Sequence, residues 1–455
     1  MSWVLAIDFG TSNTTAAHAA DGAAPVVLTV DGLPSIPSLV AADPDGHLVV
    51  GRAARNQAYL HRERAERAPK RALAAGGEVI LGQRAYKAAE VAAAVLRKAH
   101  DEALRSHGGA APDAVILTHP ARWGRHVVDQ LREAAGLAGI DGPALISEPE
   151  AAAWGYGPPV AGQVVAVFDL GGSGLDVAVL RATETGYTLV GQPGGDGELG
   201  GDYFDGRLLG WVLDQARERD GAAWAELTSA RGLRAARDRA RLGEQVTLAR
   251  EALSTSPAQE VVIDSFDEGF PVTRESFEAL IDDLAARAAA QANAAILAAG
   301  ADPAALAGLY LAGGASNTPL IARRLRSVLG IQPRLSEDPK AIVAQGALRA
   351  HAARASAGNT TRAGNSIRLT RLPLASERVR DTVTSFNAGK ERALAAWSPD
   401  DSHLAVCFGQ GIEILPCPTA SSSSRSPGGS GHRSAPSPGR PMAATSSPAR
   451  STRPR

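Results

Sequence analysis

Hydrophobic positions along residues 1–355 follow two periods. The apolar runs 4–7, 115–117, 164–168 and 309–311 are strand-like, and three of them end at Asp8, at Asp169 or at the Gly313-Gly314 pair. Helical spacing of apolar residues runs over 88–104, 126–135, 277–298 and 320–329. Turns containing Gly and Pro separate these segments. Strands that alternate with helices predict an α/β fold, with helices packed on parallel or mixed sheets.

The pattern carries a weak internal repeat. Ala6-Ile7-Asp8-Phe9-Gly10-Thr11 and Val167-Phe168-Asp169-Leu170-Gly171-Gly172 share one design, an apolar strand, Asp, an apolar residue, Gly and small residues, about 160 residues apart. Two copies of one nucleotide-binding half predict two lobes with a cleft between them. The pattern changes after residue 355. Residues 356–390 are polar and rich in Gly, Asn and Thr, which reads as a linker. In 391–415, two alternating strands around Ser398-Pro399-Asp400 resemble half a blade of a WD-type β-propeller. A single blade cannot close a propeller, so this element pairs with another molecule or belongs to a longer form. Residues 416–455 are almost entirely Ser, Pro, Gly, Ala, Thr and Arg, too poor in apolar surface to offset their chain entropy, and read as a disordered tail. Such an end is also what a reading-frame shift in a GC-rich gene produces.

Composition narrows the class. The chain has 455 residues, about three times a single-domain length, so more than one domain or lobe is expected. Hydrophobic residues at 44% and charged residues at 21% are enough for a large core. Cys407 and Cys417 are the only cysteines, which excludes a disulfide framework and a four-ligand zinc site. No apolar run approaches the roughly 18 residues of a membrane span, so a cytoplasmic protein without a membrane partner is expected. The net charge of −1 hides an asymmetry: −7 up to residue 414 and +6 after it. The basic tail has no interleaved aromatic residues, so a solvated tail is a simpler account than nucleic-acid binding.

The candidate chemistry lies in the glycine-rich strand ends. Gly10 permits a tight turn after Asp8, and the Thr11 and Ser12 hydroxyls and nearby amides suit a phosphate. Asp8 at a strand tip suits Mg²⁺ held through water. Asp169-Leu170-Gly171-Gly172-Ser173-Gly174-Leu175-Asp176 is a second such loop. Its three glycines in four positions imply a close backbone approach. Gly200-Gly201 and Gly313-Gly314 add two more.

Seven motifs in order then resemble the ATPase domain of the heat-shock protein 70 (DnaK-like) family. They are Ile7 to Asn13, Pro69-Lys70-Arg71, Thr118-His119-Pro120-Ala121, Ser147-Glu148-Pro149-Glu150, Asp169 to Asp176, Leu199-Gly200-Gly201-Asp202-Tyr203-Phe204-Asp205, and Leu311 to Pro319. The resemblance covers about residues 3–352. It implies an actin-like ATPase fold, with two lobes of duplicated ribonuclease-H-like halves around a nucleotide cleft. The lobes would span about 1–160 and 161–330, with a return to the first over 331–355. It implies ATP or ADP with Mg²⁺ as cofactors. Asp8 and Asp169 would hold the hydrated metal. Lys70 would orient the attacking water, and Glu148 and Asp176, with Asp169, would complete the catalytic network. Gly10, Thr11, Ser12, Asn13, Gly171, Gly172, Ser173, Gly200 and Gly201 would contact phosphates. Arg250, Ser254, Gly313, Gly314 and Asp338 would surround the nucleoside.

The chain departs from the family pattern at three places. Gly174 stands where the second phosphate loop has a threonine, which puts the hydrolysis rate in question. Glu251 and Asn317 replace basic residues on the adenosine side. The apolar linker and peptide-binding sandwich of the family are not found downstream. The expectation is therefore a slowly hydrolysing, ATP-binding switch with a possible protein partner for its C-terminal part. The alternatives are an actin-like small-molecule kinase and a non-catalytic scaffold.

Overall fold

The computed structural model describes residues 2–20, 22–229, 233–266 and 268–364, and four strands between Ser385 and Pro416. The chain forms two compact units, Met1–Ser366 and Ile367–Arg455.

Two sheets dominate the first unit, and they repeat one design. In the first, strands run in the order Ala144–Ser147, Ala114–His119, Trp3–Phe9, Asn13–Ala20, Val26–Val27. In the second the order is Arg334–Leu335, Gly308–Ala312, Val164–Leu170, Leu175–Ala182, Tyr187–Asp196. Directions repeat as well. Trp3–Phe9 is antiparallel to its hairpin partner and parallel to Ala114–His119. Val164–Leu170 is antiparallel to Leu175–Ala182 and parallel to Gly308–Ala312. Asp8 and Asp169 are the penultimate residues of the equivalent strands.

Side-chain alternation assigns each sheet two apolar faces. Leu5, Ile7 and Phe9 pack with Val91, Val95 and Leu96 of helix Ala88–Ser106. Ala6 and Ile116 on the opposite face share a core with Val165 and Val167 of the second sheet. Between the sheets lie helices Glu148–Tyr156 and Ile342–Gly364, which contribute Ala151, Ala152, Ile342 and Val343 to that core. These helices cross closely: a Cβ at Gly346 would meet the Ala151 carbonyl, and one at Gly155 the Ile342 side chain. On its outer face the second sheet packs Phe168 and Leu170 against Phe204 and Leu208 of helix Gly201–Arg219.

The strand runs fall where the apolar pattern placed them, and so do three of the four helices. The apolar stretch 277–298 is two helices, Arg274–Leu280 and Asp282–Ala298. Ile281 leaves helical geometry between them (φ −113°, ψ 8°) and buries its side chain fully, so the apolar period continues across a backbone break. Helix Ile342–Gly364 continues past Ser356 into the segment read as a linker. The rest of that segment up to residue 384 lies outside the described residues.

In the second unit, strands Ser385–Ala388, Glu391–Trp397, His403–Phe408 and Gly411–Pro416 form an antiparallel sheet in sequence order. Alternation alone anticipated two strands. The Arg/Ser/Pro tail lies outside the described residues from 417 onward.

Candidate functional site

The strand ends of both sheets open on one large cavity of about 1160 Å³. Asp8, Gly10, Thr11, Ser12 and Asn13 line it from the first sheet, and Asp169, Gly171, Gly172, Ser173 and Asp176 from the second. Lys70, Glu148, Gly201, Arg250, Gly313 and Gly314 also line it.

Each loop is held by a different device. Asp8 ends its strand beside Thr118, whose Oγ1 donates to Asp8 Oδ1 (2.6 Å). The first loop is stapled by Ser38, which is fully buried. Ser38 Oγ donates to the Gly10 carbonyl (2.7 Å) and accepts from Thr14 Oγ1 (2.8 Å), and its N–H donates to the Ser12 carbonyl (2.9 Å). The second loop is held by backbone bonds and by Arg71, whose Nη2 donates to the Ser173 carbonyl. Gly171 N–H donates to the Gly174 carbonyl (3.0 Å), Gly201 N–H to the Gly171 carbonyl (3.0 Å) and Asp202 N–H to the Gly172 carbonyl (2.7 Å). The two loops meet where a Cβ at Gly172 would run into the Ser12 side chain.

These bonds make the loop amides unequal. The amides of Gly171 and Gly201 are already committed to loop carbonyls. Gly200 does not line the cavity: a side chain there would strike the Gly172 carbonyl and Gly174 nitrogen, so it is a close-packing position. Ser254, in the turn after helix Leu233–Ala252, and Asp338 also lie off the wall. Ser254 N–H donates to the Glu251 carbonyl. The exposed Asp338 carboxylate accepts from the amides of Lys340 (3.1 Å) and Ala341 (3.2 Å), so it acts as a turn residue entering the last long helix. Lys340 itself lines the cavity and pairs with Glu251 (2.9 Å). Of the positions that depart from the family pattern, Gly174 and Glu251 line the cavity and Asn317 does not.

The charged centre is dense. Lys70 is near the start of helix Pro69–Ala75, where Pro69 supplies a fixed φ and needs no amide partner. Glu148 opens helix Glu148–Tyr156. Lys70 Nζ donates to Glu148 Oε1, and the two residues are only 7% and 8% exposed. Asp176 faces Asp169 across the antiparallel pair, and Arg122 Nη1 donates to its Oδ1. Arg250 Nε pairs with Asp205 Oδ1 (2.5 Å).

Electrostatics follow from burial and crowding. Burial pushes the Glu148 carboxyl up to about 7 against the pull of the Lys70 ammonium. Burial also raises Asp8, Asp169 and Asp176, and Asp169 goes well above the ordinary range because Glu148, Asp176 and Asp8 add their charge. Burial lifts Asp202 on the same wall to about 6. For Lys70, burial works against the charged form, but Glu148 and Asp8 outweigh it and hold the pKa above the ordinary lysine value. Four carboxyl groups crowd one buried ammonium and the Arg122 guanidinium, so the centre is short of positive charge. Such a donor set fits a hard divalent cation with oxygen ligands.

Gly313 carries a backbone requirement of its own. Its φ of +78° is left-handed, and a Cβ there would strike Asp169 Oδ1 and the Leu170 carbonyl. Sequence reasoning assigned no role to Ser38, Arg71, Thr118, Arg122, Trp123 or Lys340. Thr118 and Arg71 stood inside quoted motifs, which was their only signal.

The family model described as Hsp70 protein matches residues 73–362. The chaperone protein DnaK of Thermotoga petrophila is 31% identical over 353 residues, 76% of this chain and 58% of the relative. The chaperone protein HscA homolog of Azotobacter vinelandii is 32% identical over 369 residues, 75% of this chain and 56% of the relative. DnaK of Trichormus variabilis is 28% identical over 377 residues, 76% of this chain and 54% of the relative. The chain thus spans little more than half the length of the relatives it matches. Among the described residues, no helix is long and apolar enough to cross a membrane.

Proposed function

The chain belongs to the Hsp70 family, and from that premise we propose that it binds ATP with Mg²⁺ in the large cavity and hydrolyses it slowly, as a nucleotide-dependent switch. The observation that carries this reading is the meeting of Lys70, Glu148, Asp8, Asp169 and Asp176 between the two glycine-rich loops. In this reading residues 1–160 and 161–330 are two lobes, with 331–355 returning to the first.

Asp8 and Asp169 would hold the hydrated metal, whose charge, when bound, offsets the negative charge on the phosphate oxygens. The Thr11 and Ser12 hydroxyls hold phosphate oxygens from one side, and the loop at Gly172–Ser173 from the other. Lys70 orients a water towards the γ-phosphorus. The bond from that water to phosphorus forms, the bond to the β–γ bridging oxygen breaks, and the water's proton passes to the carboxylate network. A carboxyl with a pKa near 7, as at Glu148, is matched to accept a proton at neutral pH. Gly174 places no hydroxyl beside the transferred group, which supports slow turnover. Because the two loops come from different sheets, a bound γ-phosphate favours the arrangement in which both touch it, and its loss releases one of them.

Calorimetric titration with ATP and Mg²⁺, followed by phosphate release under single-turnover conditions, tests the reading. Saturable binding with slow release is expected. No binding at millimolar ATP would overturn it. Release that depends on an added acceptor would move the assignment to a small-molecule kinase, and binding with no release would move it to a scaffold.

A further inference from the structure

The turn after strand Ala114–His119 delivers two side chains to the charged centre. Trp123 N–H closes it onto the Pro120 carbonyl (3.1 Å). From this turn Arg122 reaches across to the second sheet and donates to Asp176. The neighbouring Trp123 ring lies 5.7 Å from Lys70 Nζ. Both residues line the large cavity. Arg122 also borders a small, mostly apolar pocket between Pro120 and Pro149 on one side and Val177, Ala178 and Pro193 on the other. Its guanidinium therefore sits at the seam between the two halves of the fold.

We propose that Arg122 is a positioning residue of the hydrolytic reaction, acting through Asp176. This rests on the ATPase reading above. Asp176 stands opposite Asp169 in the antiparallel pair, and its charge is one of those that raise the Asp169 carboxyl, so the aim of the Asp176 carboxylate bears directly on the charged centre. The Arg122 guanidinium holds that aim with a directed, charge-assisted bond. Because Arg122 and Asp176 belong to different sheets, the bond forms only while the seam is in register. It thereby ties the aim of the carboxylate to the relative placement of the two halves. The side chain of Arg122 is 52% exposed, so its truncation leaves the core intact.

The test is a double-mutant cycle on the full chain: wild type, R122A, D176N and the double variant, with Arg122→Lys as the conservative control. ATP affinity, single-turnover rate and melting temperature are measured for each. R122A should slow the chemical step about 10- to 100-fold, the usual range for groups that orient a functional ligand. ATP affinity and melting should stay near wild type. Arg122→Lys should recover part of the rate, since a lysine restores the charge without the planar fork. The loss from R122A should vanish in the D176N background, because both changes remove one interaction. Additive losses, an unimpaired R122A rate, or a loss confined to affinity would overturn the proposal. A wild type that binds ATP without turnover overturns the ATPase reading and this inference with it. An active wild type beside an unimpaired R122A overturns only the inference.

Discussion

The two sheets share strand order and direction, yet their strand tips differ in chemistry. Opposite Asp8 across the hairpin stands Thr15; opposite Asp169 stands Asp176. On the parallel side, Asp8 receives the Thr118 hydroxyl, while Asp169 faces Ala312. The first copy thus gives its aspartate a donor, and the second gives its aspartate a like charge. Burial first, then the charges of Glu148 and Asp176, drive Asp169 well above the ordinary carboxylate range. The supports differ too: a buried hydroxyl staple at Ser38 in one copy, backbone stacking of Gly171–Gly174 on Gly201 and Asp202 in the other. A duplicated scaffold can keep its topology, because the core sets that, while its exposed strand ends diverge. One tip then carries a lone carboxyl beside a hydroxyl donor, and the other a facing pair of carboxyls.

Several changes would break or sharpen this contrast. The largest effect is expected at the charge that both tips share. Lys70→Met should lower single-turnover hydrolysis by about 10²- to 10³-fold, the scale for losing one preorganised group at the reaction centre. Next comes the acid limb of the rate. Turnover should fall as pH drops through about 7, because the Glu148 carboxyl becomes protonated there. In Lys70→Met the residual rate should show that limb at higher pH, since the ammonium lowers the Glu148 pKa. A limb that stays in place would remove Glu148 from the role.

Glu148 also predicts a sign for stability. Its folded pKa, about 7, lies above the ordinary glutamate value of 4.5, so the folded state holds the proton over that interval. Its contribution is full below the unfolded pKa and is lost as pH rises through about 7. Glu148→Gln should flatten that slope by up to about 3 kcal/mol, read from denaturant melts on either side of the window. At Gly313, alanine should cost about 1–3 kcal/mol, because it forces a left-handed residue against Asp169 and Leu170. A melt unchanged from wild type would refute that constraint. The smallest change makes the copies alike. Thr118→Ala should raise the Asp8 pKa and remove about 1 kcal/mol of support, seen as a weaker Mg²⁺ dependence of ATP binding. An unaltered Mg²⁺ titration would mean the copies do not differ in the way described.

The sequence was most readable where a few neighbouring residues set the outcome. Asp8-Phe9-Gly10 and Asp169-Leu170-Gly171 could be found because a strand tip followed by glycine is a local pattern. The period of 277–298 was also local, but the break at Ile281 was not, since an apolar side chain remains at the right spacing while only the backbone turns. The phosphate loops were legible as loops. Which of their amides stay available was not, because Gly171 and Gly201 bond to partners brought in by folding. The Asp338 carboxylate accepts from the Lys340 and Ala341 amides, a bond that an Asp before proline does not by itself announce.

Strand positions, the repeated design, the family and the short list of charged residues therefore follow from patterns that neighbours impose on one another, while strand order comes from the folded chain. So does the state of those charges. Ser38, Thr118 and Arg122 lie tens of residues or more from the groups they hold, and nothing beside them in the chain names those partners. The pKa of Glu148 depends on burial and on Lys70, Asp8 and Asp176, which come from separate elements. Coulomb and desolvation energies depend on distance through space, and the folded chain sets that distance.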